Sequence, residues 1–355
     1  MQKSFIAQLL KKNTTKSSKS VGSGIGTGTG NQDNNTSIFR PVNLQQVIGR
    51  EQQKQVLEVM IASVRKKLSQ GQKAALDHIL FYGPPGLGKT TFARVLASEL
   101  GTNIIITSGV VLTKPIDVVS ILTNLGPGDI VFIDEIHRLR KNLQEILYSA
   151  MEDFAIDVMM GDGMGSQSVR VNLEPFTLIG ATTNIGLLSG PLRDRFGIVQ
   201  HLDYFSDQEL FLILKAAAQK LKIRYEPEAL LELARRSRGT GRIAIRLLKR
   251  STEFMEYDNT QILTLEVVKK TMRALHIDKM GLDPVDKKIL EVVIKHFNGG
   301  PVGIKSIASL LGEDIQTIET VHEPYLVRLG FLQRTQRGRI ATDKAYKHLN
   351  ITRSK

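Results

Sequence analysis

The stretch His78–Leu100, HILFYGPPGLGKTTFARVLASEL, limits the fold more than any other part of this 355-residue chain. A short apolar run, Ile79–Tyr82, breaks at a Gly/Pro-rich loop and then resumes with helical spacing. Gly83, Gly88, Lys89 and Thr90 satisfy G-x-x-x-x-G-K-[ST], the phosphate-binding loop between a strand and a helix. Glycines allow backbone N–H groups to turn inward and approach phosphate closely. The following helix aims its positive end at the same place. Lys89 supplies a compact charge for β/γ-phosphates, and the Thr90 hydroxyl can ligate Mg²⁺. The pattern therefore predicts an α/β domain built on a parallel sheet that binds a nucleotide.

Two or three domains fit this length. The chain has no cysteine, which excludes a disulfide framework, thiolate metal ligation and a cysteine nucleophile, and fits a reducing, cytoplasmic setting. No apolar run approaches the ~18 residues that span a bilayer, so no membrane partner is expected. The net charge of +13 favours polyanion partners if the basic residues cluster.

Residues 1–37 read as a flexible tail, because 19 of the 25 residues in Asn13–Ser37 are Gly, Ser, Thr or Asn and offer too little apolar surface to offset ordering. Over 38–203 strand and helix alternate: a helix at Glu51–Leu68, strands at Ile104–Ile106, Ile130–Ile133 and Phe176–Ala181, a helix at Leu143–Phe154 and a hairpin over Ile156–Val171. Over 204–276 four helical segments follow, the first opened by a Ser206/Glu209 capping box. Over 277–355, Asp283-Pro284 opens a helix to Phe297. Segments Ile304–Leu311 and Ile315–Leu329 come next, then a hairpin over Phe331–Thr342 that turns at Gly338. Three short helices and a basic hairpin predict a winged helix, a module that docks on duplex DNA.

Asp134 and Glu135 end a buried apolar run, where carboxylates are costly unless paired or facing a metal. Asp134 is placed to hold Mg²⁺, and Glu135 to polarise an attacking water. His137 reads as a polar loop residue. Thr183, at the end of another apolar run, can sense a γ-phosphate. Arg193 and Arg195 flank Asp194, and either one could reach a neighbouring subunit's nucleotide or form a surface ion pair. Arg242, at a helix start, faces phosphate or solvent. Between Pro324 and Thr342 no acidic residue accompanies Arg328, Arg334, Arg337 and Arg339.

In this order, GPPGLGKTT, IDEIHR, GATT…GPLRDRFG, SRGTGRIA and GFLQRTQRGR closely resemble the RuvB family of AAA+ ATPases, the bacterial Holliday-junction branch-migration motors, from about Arg40 to His348. The resemblance implies a large AAA+ domain, a helical lid and a C-terminal winged helix. By position it puts Arg40 near the adenine, and Gly86, Leu87, Gly88, Lys89, Thr90 and Thr91 on the phosphates and Mg²⁺ of ATP. Glu152, Asp153 and Phe154 match a segment near the nucleotide. Thr183 resembles the first sensor, Arg195 the arginine finger and Arg242 the second sensor. Arg334 and Arg339 match DNA contacts, with Arg337 beside them. The hairpin 156–171 corresponds to the element that docks on a RuvA-like junction-binding protein. A homohexamer on duplex and four-way-junction DNA is implied, with a RuvC-like resolvase as a further partner. Three positions depart from the family pattern: Phe205 stands for a tyrosine, Gly241 for a proline before Arg242, and Gln336 for a proline in the wing. The competing readings are a clamp-loading ATPase, which would carry a helical collar, and a nucleotide-gated winged-helix regulator, which would need neither Glu135 nor Arg195.

Overall fold

The computed structural model describes residues 39–160 and 167–352. The low-complexity tail over 1–37 and the tip of the expected hairpin lie outside the described residues. The chain folds as two compact units, one ending at Tyr204 and the other beginning at Phe205.

The first unit is a five-stranded parallel sheet wrapped by helices. Its strands are β1 (Ile79–Tyr82), β2 (Ile104–Ser108), β3 (Ile130–Asp134), β6 (Thr177–Thr182) and β7 (Ile198–His201), in the order β2-β3-β6-β1-β7. Its helices are α1 (Glu51–Ser69), α2 (Lys89–Leu100), α3 (Pro115–Thr123), α4 (Lys141–Asp153) and the short α5 (Gly190–Asp194). Strands covered on both faces read as continuous apolar runs. Ile79, Leu80 and Phe81 of β1 and all six residues of β6 are buried accordingly. In-register pairing of β1 with β6 (Tyr82 opposite Thr182) and of β3 with β6 (Ile133 opposite Gly180) brings the carboxyl ends of three strands side by side. Ligands of open α/β sheets bind in the crevice outside such ends.

This unit differs from the sequence expectation in several features, including strand β7 and the short α5, which that expectation lacks. Helix α3 is absent from that expectation, although Pro115 at its first turn and Asp117, whose Oδ2 accepts from the Thr113 and Lys114 amides at 3.1 and 2.8 Å, are start signals. The hairpin is β4 (Ala155–Met160) paired antiparallel with β5 (Gln167–Asn172). Its base is a core element, since Ile156 and Val171 are buried in the same cluster as Leu143, Leu147 and Phe176.

The second unit begins with a helical part comprising α6 (Asp207–Lys220), α7 (Pro227–Arg235), α8 (Gly241–Tyr257) and α9 (Leu265–Ala274), joined by a two-residue parallel pair, β8 (Arg224–Tyr225) with β9 (Ile262–Leu263). The Ser206 capping box forms: the Glu209 amide donates to Ser206 Oγ at 3.2 Å, and the Ser206 amide donates to Glu209 Oε2 at 2.7 Å. The winged helix follows. It holds α10 (Pro284–His296), α11 (Ile304–Leu311), α12 (Glu323–Arg328), the hairpin β10 (Leu332–Thr335) with β11 (Gly338–Ala341), and α13 (Asp343–His348). Its own core includes Ile289, Leu290, Val293, Ile307, Leu326 and Tyr346.

The continuous helix expected over Ile315–Leu329 is broken in three: one turn at Ile315–Thr317, a π-helical turn at Ile318–His322, and α12. Pro324 explains the break, because it lacks an N–H and its ring crowds the carbonyl four residues back. The hairpin turns at Gln336-Arg337, and Gly338 begins the second strand.

Candidate functional site

The phosphate loop leaves the carboxyl end of β1 and enters α2 at Gly88. Gly83 has φ of +139°, and a Cβ there would lie 2.2 Å from the Leu202 carbonyl oxygen, so no other residue fits the turn. Gly88, at φ of +96°, is the N-cap of α2. No side chain caps that helix and no acidic residue sits in its first turn. The uncapped amides and the aligned dipole suit an anion. Lys89 is buried, and its Nζ donates to the Gly83 and Pro84 carbonyls at 2.7 and 2.9 Å. Leu87 is also buried, which leaves its backbone as the part able to meet a ligand. Gly86, Thr90 and Thr91 are half-buried along the loop and first turn. These residues fit a nucleotide triphosphate with Mg²⁺, to which Thr90 and the half-buried Asp134 offer oxygen ligands.

Glu135 follows β3 in a left-handed conformation, φ of +46°, and its amide donates to Asp134 Oδ1 at 3.0 Å. Its carboxylate is held from two sides. Thr183 Oγ1 donates to Glu135 Oε2 at 2.9 Å, and the Thr183 amide donates to the same oxygen at 3.4 Å. His137 Nδ1 lies 3.2 Å from that oxygen and 2.8 Å from Thr182 Oγ1. Burial, against the pull of Glu135, holds the His137 imidazole below its ordinary pKa, so the ring is neutral at neutral pH. The polar residues at the ends of β3 and β6 thus form one hydrogen-bonded group.

The two arginines of PLRDRFG separate. Arg193 is exposed and lies 3.6 Å from Asp194 Oδ1, an ordinary surface pair. Arg195, at the end of α5, donates from Nη2 to Glu152 Oε2 at 2.8 Å and from Nη1 to the Pro191 carbonyl at 3.0 Å. Its guanidinium lies 4.9 Å from the centre of the Tyr148 ring, and its buried Nε has no hydrogen-bond partner among the described residues. Arg195 also lines a cavity of about 430 Å³ with Lys67, Lys73, His78 and Phe154. His78 precedes β1, whereas the phosphate loop follows it. Asp153 pairs instead with Arg170 of β5 at 2.6 Å. Arg40 is half-buried near the start of the described chain.

In the second unit, Phe205 is buried and its amide donates to the Gly239 carbonyl at 2.9 Å. Arg242 is exposed in the first turn of α8, whose Thr240 cap accepts from the Ile243 amide at 3.4 Å. The cap holds the helix start where Gly241 replaces a helix-fixing proline. On the wing, Arg334 and Arg337 are exposed.

Three family models cover nearly all the described chain. Residues 39–202 match the Holliday junction DNA helicase RuvB P-loop domain, 205–278 the RuvB AAA lid domain, and 279–350 the RuvB C-terminal winged helix domain. The chain belongs to the RuvB family. It is 50% identical over 315 residues to the Holliday junction branch migration complex subunit RuvB of Clostridium kluyveri, covering 89% of each chain. It is 48% identical over 313 residues to the subunit of the same name from Oleidesulfovibrio alaskensis, covering 88% of this chain and 96% of that one. Among solved structures, the Thermotoga maritima RuvB Holliday junction branch migration motor superposes with a TM-score of 0.78 at 47% identity, over 89% of this chain and 99% of that one. The sheet, lid and winged helix are therefore those of a RuvB AAA+ ATPase.

On the wing of this RuvB chain, Arg339 is placed differently from Arg334 and Arg337. Its side chain is only 10% exposed, and it donates from Nε to Glu323 Oε1 and from Nη2 to Glu323 Oε2, both at 2.9 Å. Nη2 also reaches Glu319 Oε1 at 3.1 Å. Those hydrogen bonds and charges raise the Arg339 pKa further. The basic run has no acid within it, but two acids lie just upstream, Glu319 in the π turn and Glu323 at the start of α12, and both reach Arg339 of β11. Arg339 is thus engaged by the wing's own acids, whereas Arg334 and Arg337 are the exposed cations of the hairpin. His137, read as a polar loop residue, joins the Glu135 group. Its signal in the sequence is its place two residues after Glu135.

Proposed function

We propose that this chain is an ATP-driven, DNA-dependent motor that migrates the branch of a Holliday junction together with a RuvA-type junction-binding protein, acting as a homohexamer in the bacterial cytoplasm. The observation that carries the reading is the grouping of Glu135 with Thr183 and His137 at strand ends beside the phosphate loop, in a chain that also ends in a winged helix. A pure nucleotide switch has no use for a positioned carboxylate base, and a clamp loader would not end in this module.

Lys89 and the first-turn amides of α2 take the triphosphate, and Thr90 and Asp134 take Mg²⁺. Bound there, Mg²⁺ would supply charge neutralisation. Glu135 accepts the proton of the attacking water. The Thr183 hydroxyl has a single hydrogen, which it donates to Glu135, so turning that hydrogen to a γ-phosphate frees the carboxylate. By resemblance to the family pattern, Arg40, Phe205 and Arg242 are further nucleotide-binding residues, with Arg242 reading the γ-phosphate.

Arg195 serves the neighbouring subunit. It shares a cavity with His78 before β1, and the four residues of β1, about 13 Å of strand, separate that end from the chain's own loop. Glu152, through its pair with Arg195, and Phe154 border the same cavity, with Asp153 between them in the chain. The distal part of the β4–β5 hairpin docks on the RuvA-type partner, Arg334 and Arg337 meet DNA phosphates, and a RuvC-type resolvase joins the junction complex. The deciding experiment is dissociation of a synthetic four-way junction. It requires ATP and Mg²⁺, is stimulated by the RuvA-type protein, and is lost in Glu135→Gln. A chain that hydrolyses ATP yet leaves junctions intact under all these conditions rejects the motor.

A further inference from the structure

The helical part and the winged helix form one compact unit, and a buried cluster of charge joins them. At its centre is Arg238, in the loop between α7 and α8 of the helical part, with φ of +52°. Its Nε donates to the Gly281 carbonyl at 2.8 Å. Its Nη2 lies 2.9 Å from Asp283 Oδ2 and 2.6 Å from Asp286 Oδ2, the two acids of the α10 capping box. Asp286 is fully buried, and its Oδ1 pairs with His322 Nδ1 at 2.7 Å. The guanidinium sits 5.1 Å from the centre of the Tyr325 ring on α12, and Arg328 Nη1 donates to the Arg238 carbonyl at 3.2 Å. The fit is close. A Cβ at Gly281 would lie 2.7 Å from the Arg236 carbonyl oxygen.

Asp283, Asp286 and His322 could hold a cation, their donor atoms lying within 4.8 Å of one another. Arg238 already supplies the positive charge to both carboxylates, so the cluster is complete without a metal. Stability alone does not account for it either. Desolvating such charges costs several kcal/mol each, and apolar residues of similar size often stabilise as well or better. What charges held at fixed distances add is a defined relative position. One side of the loop leads, four residues on, to Arg242. The other side is clasped by the π turn and α12, which continue directly into the hairpin carrying Arg334 and Arg337.

We propose that Arg238 is a positioning residue that couples Arg242 to the DNA-binding hairpin, so that engagement of the wing by duplex DNA alters nucleotide turnover through the Arg238–Asp283–Asp286–His322 cluster. The proposal rests on the proposed function, with Arg242 as a nucleotide sensor and the wing as the DNA contact.

The test measures ATP turnover by the full chain with and without linear duplex, together with duplex affinity and melting temperature. It compares wild type, Asp283→Asn and Arg238→Gln. Asparagine keeps the oxygen that caps α10 and puts an NH₂ where Oδ2 faces Arg238, so folding is retained. The expected result is that duplex stimulation falls at least threefold in Asp283→Asn and disappears in Arg238→Gln. Basal turnover and duplex affinity stay within twofold. Should Arg238→Gln fail to fold, Asp283→Asn decides alone. A lower melting temperature with unchanged stimulation would show a purely structural cluster and overturn the inference. A wild-type chain that does not respond to duplex refutes the motor reading and this inference together; a responsive wild type with equally responsive variants refutes this inference only.

Discussion

Replacing Arg339 with alanine separates a wing whose arginine supports its shape from one whose arginine grips DNA. The guanidinium makes two 2.9 Å hydrogen bonds to Glu323, whose side chain is 5% exposed, and one at 3.1 Å to the more exposed Glu319. Deleting one partner of a buried pair strands the other charge, at about 3–5 kcal/mol. The Glu319 interaction adds at most about 1 kcal/mol. At roughly 2–4 °C per kcal/mol for a unit of this size, the melting transition of the second unit should fall by about 6–24 °C in calorimetry of the full chain. Arg334→Ala is the control. Its nearest acid is Glu319 at 3.9 Å, with side chains 66% and 37% exposed, so stability should change by under about 1 kcal/mol. Its salt dependence of duplex binding should nevertheless drop by about 0.9 in log–log slope for each phosphate no longer neutralised. Adding Glu323→Gln to an Arg339→Met variant removes the stranded charge and should recover most of the stability. The reasoning is refuted if Arg339→Ala melts within about 2 °C of wild type while its salt slope falls by about one.

The ATPase roles separate in the same way. Lys89→Ala should lose nucleotide affinity, and Glu135→Gln should keep affinity while turnover falls by orders of magnitude; equal loss of affinity in both contradicts the assignment. Arg195→Ala should be nearly inactive, by about 10³–10⁵-fold where such fingers have been measured, yet regain turnover when mixed with Lys89→Ala subunits. A mixture as inactive as either variant places the finger elsewhere. His322→Gln tests the buried cluster by pH. Burial alone would lower the His322 pKa, but the hydrogen bond and charge of Asp286, with Asp283, outweigh burial and the repulsion of Arg238 and raise it. Protonation then favours the folded chain, an effect fully present below about pH 6.5 and lost as pH rises through the higher folded value. The melting gap between wild type and variant should therefore be wider at pH 6 than at pH 9, and a gap that widens with pH refutes it.

The nucleotide half of the molecule is legible because its signals are local. Gly83 through Thr90 specify their own loop, and buried parallel strands announce themselves as apolar runs such as Ile79–Phe81 and Ile130–Ile133. Capping residues behave the same way: Ser206 with Glu209 and Asp283 with Asp286 mark helix starts because partners three residues apart meet in any helix. Helix α3 carries comparable signals, yet Pro115 and Asp117 follow a lysine at the cap position, which does not advertise a helix start. The break before Pro324 is legible in principle, since a proline well inside a helical pattern must disturb it.

What the sequence hides is the long-range choice of partner. Arg195, Arg238 and Arg339 look alike in a string, each an arginine in a Gly/Pro-punctuated stretch, and nothing local tells them apart. The structure gives Arg195 a carboxylate 43 residues upstream, Arg238 two acids about 45 residues downstream, and Arg339 two acids 16 and 20 residues back. Burial then divides them. Arg195 is a third exposed and pairs with an exposed Glu152, an interaction that a nucleotide phosphate can displace at little cost. Arg238 and Arg339 are about a tenth exposed and hold carboxylates that would be left buried and uncompensated, so they stay in place and fix geometry for others. The same residue type therefore meets a displaceable acid in the first case and a buried one in the other two. The difference is the accessibility of the acid opposite, a quantity set by the fold and carried by no local motif.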